Sequence, residues 1–124
     1  MKQIRPTSRS PERIGSGAAK DKEHEMVKLV VGYGRPDDPA AFDEHYVSTH
    51  IPLVDKIPNL RRFESGKVAG TPDGSAPPFY YLAELLFDDA EELQAAMGSP
   101  EGQAAGADVA TFATGGATLM IAQT

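Results

Sequence analysis

Cysteine is absent from the 124 residues, so they hold no disulfide framework, no thiolate nucleophile and no cysteine zinc site. A reducing, cytoplasmic setting suits them. Basic residues are scarce where a fold could form. Of twelve Lys and Arg, six fall in residues 1–25, leaving six against fourteen Asp and Glu in residues 26–124, a local balance of −8 within a net charge of −6. So acidic a domain makes a poor partner for nucleic acid. No apolar run approaches the ~18 residues that a membrane helix needs, and no membrane association is expected. Gly32, Gly34, Gly66, Gly70 and Gly74 form neither a G-x-G-x-x-G nor a phosphate-loop pattern. His45 and His50 are five residues apart rather than the four of a helical metal pair, and no acidic residue has an obvious third-ligand position. Neither a metal nor a cofactor is expected.

What is present is organised around the stretch Asp37 to Leu53. Asp38 is a good helix N-cap and Pro39 fits the first helical position, where its missing N–H costs nothing. Asp43 and Glu44 lie towards the positive end of the helix dipole. Pro52 is expected to close the helix at His50 or Ile51, because the residue before a proline is steered out of the α region. At roughly 100° per residue, Phe42, Tyr46 and Thr49 share one stripe, with His45 and His50 on its shoulders; Ala40, Glu44, Val47 and Ser48 face away. A core-facing stripe with two imidazoles, a phenol and a hydroxyl suggests a polar cavity.

The length suits one domain. Residues 1–25 mix Arg, Ser, Pro, Gly and Lys without periodicity and read as a tail or leader, dispensable to a fold spanning 26–124. A β-rich segment runs from Met26 to Tyr33, a second strand from Leu60 to Ala69, and a third from Phe79 to Phe87. A helix capped by Asp88, with Glu91 as its capping-box partner, ends at Gly98. A Gly- and Ala-rich helical piece follows from Ser99-Pro100 to about Val109, and the last strand covers Ala117 to Ala122. The order β-α-β-β-α-β predicts an α+β, ferredoxin-like fold with a four-stranded antiparallel sheet. The third strand is apolar on both sides: Phe79, Tyr81, Ala83, Leu85 and Phe87 on one, Tyr80, Leu82 and Leu86 around Glu84 on the other. Two helices cover only one face of a sheet, so the other is expected to meet a second copy in a homodimer.

Phe42, His45-Tyr46, His50, Pro52-Leu53 and Pro58, followed by a strand beginning near Leu60, resemble the EthD family, named for ethyl tert-butyl ether degradation. Ser99-Pro100-Glu101-Gly102 and Asp108 fit the same pattern. The resemblance implies a dimeric α+β barrel with a pocket between helices and sheet. It also implies kinship with small enzymes of aromatic and polyketide metabolism, including cyclases, lactone isomerases and cofactor-free monooxygenases. The expected function is acid/base chemistry without a cofactor (cyclisation, isomerisation or dehydration) on an aromatic, polyketide-like or lactone metabolite. The second reading is a non-catalytic accessory protein that binds a hydrophobic metabolite. His50 is the candidate proton-transfer residue, Tyr46 would orient a substrate oxygen, and His45 would take a secondary part. Phe42, Thr49 and Ile51 are the expected ligand-binding walls.

Overall fold

A computed structural model describes residues 26–124; the tail expected at residues 1–25 lies outside the described residues. Alternation builds β1 (Val27–Tyr33), which buries Val27, Leu29, Val31 and Tyr33 on one side. It pairs antiparallel with β3 (Tyr81–Phe87), setting Leu29 opposite Leu85. On its other side lies β4 (Ala117–Gln123), with Leu119 opposite Val31. Beyond β3 comes β2 (Arg62–Lys67), giving the antiparallel order β2-β3-β1-β4. The first helix has three segments, α1 (Pro39–His45), a π-helical turn (Tyr46–His50) and α2 (Ile51–Asp55); α3 (Ala90–Gly98) and α4 (Pro100–Phe112) complete the chain. This is the ferredoxin-like α+β arrangement expected from the element order. The core joins the buried face of β1 and β3 to Phe42 and Tyr46 of the first helix, Leu93 of α3 and Phe112 of α4.

Several local expectations shift. The first helix does not end before Pro52; it passes through the proline to Asp55. Proline cannot give an N–H to the carbonyl four residues back, and its ring crowds that oxygen. The turn just before it widens to π geometry, with the Ile51 N–H donating to Tyr46 O, five residues back. The cap of α3 is Asp89, whose Oδ1 accepts from the Glu92 N–H at 2.8 Å; the capping pair lies one residue later than Asp88 and Glu91. Asp88 instead accepts two hydrogen bonds from Arg61, at 3.0 and 2.6 Å. The last helix reaches Phe112, not Val109, because no breaker intervenes until Thr114-Gly115-Gly116. The second and third strands are shorter than expected, although Arg61 N to Leu86 O and Val68 N to Tyr80 O carry the ladder one step past β2.

Away from the helices, the sheet presents Val30, Leu82, Leu86 and Met120 around a charged middle. Glu84, opposite Glu64 in the ladder, is paired with Lys28 at 3.3 Å, and Glu64 with Arg62 at 3.4 Å.

The chain leaves β1 and enters β4 through a tight crossing of backbones. A Cβ on Gly34 would run into the carbonyl oxygen of Gly115, and one on Gly115 into that of Arg35. At Gly66 a Cβ would meet open space. Gly34→Ala should therefore cost about 1–3 kcal/mol in urea unfolding, as overpacking does, while Gly66→Ala stays near wild type. Equal stabilities for the two variants would contradict the crossing.

Candidate functional site

In a regular α-helix, residues five apart project about 140° from one another, which would leave His45 and His50 on separate shoulders. The π-turn closes that angle, and both imidazoles reach one carboxylate. His45 Nε2–H donates to Asp108 Oδ1 and Oδ2 at 2.9 and 3.0 Å, and His50 Nδ1–H donates to Asp108 Oδ2 at 2.9 Å. Asp108 projects from α4, where Thr111 Oγ1 also lies 3.2 Å from its Oδ1. Phe112, one turn further along α4, packs against both imidazoles, with ring centroids at 5.0 Å from His45 and 4.9 Å from His50.

The two histidines differ in setting. His45 is partly open to solvent, whereas His50 is only 4% exposed. Burial is the largest influence on His50 and lowers its pKa below the ordinary 6.5, against an upward pull from Asp108. For Asp108, burial pushes the carboxyl pKa up, but the hydrogen bonds and charge of His45 and His50 outweigh it and hold the pKa below the ordinary value. At neutral pH the arrangement is thus a carboxylate holding a neutral His50 by its Nδ1–H, with Nε2 left as the basic nitrogen. Among the described residues, no hydrogen bond engages Nε2.

His50 and Tyr46 share the wall of a cavity of about 80 Å³ between the sheet and the helices, completed by apolar side chains such as Val31, Leu85, Ala105 and Val109. Tyr46 is fully buried, and its hydroxyl makes no hydrogen bond within the described residues. The Tyr33 and Ser65 hydroxyls lie near enough to influence its acidity without being placed to pair with it. Burial dominates and pushes the Tyr46 pKa up to about 12, so the phenol stays protonated and can only donate its hydrogen bond or accept one. Tyr33 is shifted upward in the same way, by burial first.

Of the six side chains singled out from the sequence, His45, Tyr46 and His50 converge. Phe42, Thr49 and Ile51 do not reach the cavity wall. Phe42 is buried behind it, stacked on Tyr46 at 5.8 Å, and Ile51 is half-buried against the core. Thr49, expected on the core stripe, is exposed, because the extra residue of the π-turn rotates it outward. Asp108 and Phe112 are the site residues that the sequence reading left without a role. Two signals marked Asp108: it fits the EthD pattern, and it is the sole charged side chain after Glu101. Among the described residues no group of three His, Cys, Asp or Glu side chains is arranged to hold a metal ion, and no helix is long and apolar enough to cross a membrane.

Comparison with known proteins follows this geometry. An uncharacterised 11.0 kDa protein from the thcB-thcC intergenic region of Rhodococcus erythropolis is 50% identical over 95 residues, 77% of this chain and 91% of that protein. The crystal structure of an EthD family protein from Bacillus halodurans is 46% identical, covers 80% of this chain and 98% of its own, and superposes with a TM-score of 0.75. Looser likenesses concern the fold alone. A dimeric ferredoxin-like protein of unknown function from Thermobifida fusca is 16% identical, with a TM-score of 0.65 over 82% of this chain and 93% of its own. A hydroxynitrile lyase from Passiflora edulis is 14% identical, with a TM-score of 0.66 over 82% and 94%. The EthD domain model matches residues 35–116, a span that contains the π-turn, both imidazoles and Asp108. The chain is a member of the EthD family.

Proposed function

We propose that this protein is a small cofactor-independent enzyme that moves a proton at a carbon next to a carbonyl, in a cyclisation, isomerisation or dehydration. The observation that carries the reading is the 2.9 Å hydrogen bond from His50 Nδ1–H to Asp108, made by a buried histidine that lines an apolar cavity. Asp108 fixes the tautomer and would stabilise the imidazolium that forms when Nε2 takes a proton from carbon. The electron pair left behind moves onto the neighbouring oxygen, which accepts the Tyr46 hydrogen bond. The same imidazolium then returns its proton at another position. His45 shares the Asp108 carboxylate and acts as a positioning residue. A binding protein for a hydrophobic metabolite would use the same cavity, but it would have no need of a carboxylate that orients His50.

The assay is deuterium incorporation from D₂O next to the carbonyl of a panel of ketones and lactones. His50→Ala should lower the rate by about 10²–10⁴-fold, and Tyr46→Phe by less, on the order of 10²-fold. A wild-type protein with no incorporation above background, or His50→Ala at full rate, would overturn the reading in favour of a binding protein.

The pH profile follows from the direction of the His50 shift. The base is neutral above its depressed pKa, so kcat/KM should be full near neutrality and fall on the acid side with a midpoint below 6.5. Asp108→Asn removes the upward pull and should carry that midpoint lower still, while slowing the plateau through loss of the fixed tautomer. A midpoint above 6.5, or a variant with an unchanged profile, would contradict these roles.

The open sheet face supports a homodimer formed by that face, the smallest device that covers Val30, Leu82, Leu86 and Met120. Light scattering should give twice the chain mass at micromolar concentration, with ~1,600 Å² buried as in stable interfaces. Leu82→Arg should give the single-chain mass; a wild-type monomer would contradict the assembly.

A further inference from the structure

We propose that the ligand binds end-on, with a compact carbonyl- or enol-bearing head in the inner cavity beside Tyr46 and His50, and an apolar body, alkyl or aryl, in an outer groove between α3 and β4. This rests on the proton-transfer reading of His50 and Tyr46 and adds the size and shape of the substrate.

Two observations of different kinds lead to it. The first is size. The inner cavity holds about 80 Å³, well under the roughly 150 Å³ of an apolar cavity that accepts benzene. An aromatic ring does not fit there; a carbonyl with one or two attached carbons does. The outer groove holds about 540 Å³. Leu29, Met97 and Leu119 line both spaces, so the two are neighbours with only these apolar side chains between them. Leu93 and Ile121 extend the apolar floor, and Gln94 is the one polar side chain in the groove. Leu119 and Ile121 are each 57% exposed, although both lie on the helix side of the sheet, opposite Val31 and Leu29. A sugar, nucleotide or polyanionic body would find no set of partners along this path, whereas a hydrocarbon finds contact throughout.

The second observation is the Tyr46 hydroxyl. A fully buried phenol without a hydrogen-bond partner among the described residues forfeits an interaction that such groups almost always make, and Tyr46 is part of the wall of the inner cavity. A ligand oxygen at the head would supply the acceptor. A saturated hydrocarbon would not. The head is thereby an oxygen function and the body apolar.

The test uses straight-chain methyl ketones from 2-butanone to 2-nonanone and the corresponding alkanes, titrated into the isotope-labelled full chain and followed by NMR. Ketone affinity should rise about three- to four-fold per added methylene, the gain for burying each CH₂. Ile121→Asp should flatten that rise while leaving 2-butanone binding unchanged, since Ile121 lines only the outer groove. Tyr46→Phe should reduce each ketone to the affinity of its alkane and leave the alkanes alone. Affinity that does not depend on chain length, as when a second copy of the chain covers the groove, would overturn the proposal. So would Tyr46→Phe binding ketones as well as wild type. Ketones that bind in the expected series but never incorporate deuterium would sustain the end-on mode and sink only the catalytic reading.

Discussion

Pro52 has no N–H to give the carbonyl of Ser48, and an α-helix cannot pass through it without opening the turn before it. The opening taken here is the π-turn at Tyr46–His50. It changes the bearing of each side chain on that turn. His45 and His50 come to one side and share a carboxylate, Tyr46 turns fully inward, and Thr49 turns out. Asp108 then ties the first helix to α4 across the end of the core. Position in this site is set by backbone hydrogen bonding first and by side-chain chemistry second, consistent with the frequency of such bulges at functional sites.

The electrostatics of the cluster depend on its being nearly closed. An isolated carboxylate taken out of water would be strongly disfavoured, yet Asp108 stays ionised because His45 and His50 both donate to it. His50 pays in the other direction: burial favours its neutral ring despite the neighbouring negative charge. Both pKa values are lowered, which leaves a neutral base and its ionised orienting carboxylate in place together. Phe112 and Tyr46, themselves in contact, supply apolar packing against the His50 ring, at 4.9 and 5.2 Å between centroids.

The order of elements was legible in the sequence because strand alternation, caps and breakers act locally. Val27, Leu29 and Val31 announce β1, and Asp38-Pro39 starts the first helix where it was expected to start. The two-sided apolar third strand was equally plain, since Leu82 and Leu86 have no reason to be apolar on a wetted face. What escaped was what depends on tertiary context. Pro52 reads as a stop by local rules, and only the packing of α2 against α4 makes continuation through a π-turn favourable. The 140° that separates His45 from His50 on an ideal helix hid their convergence. Asp108 was visible as part of the family pattern and as a lone charge in a small-residue helix, but its role was not, because that role belongs to a contact more than fifty residues away in sequence. Phe112 was overlooked because the last helix was ended a turn too early.

Proton transfer in this site depends on the state of one imidazole. Nitrogen-15 NMR of His50 through a pH titration reads it directly, since protonated and bare ring nitrogens resonate far apart. At pH 7 the spectrum should show Nδ1 protonated towards Asp108 and Nε2 bare, with a titration midpoint below 6.5. A proton resident on Nε2 at that pH, or a midpoint above 6.5, would mean that Asp108 does not hold His50 as a neutral base facing the cavity.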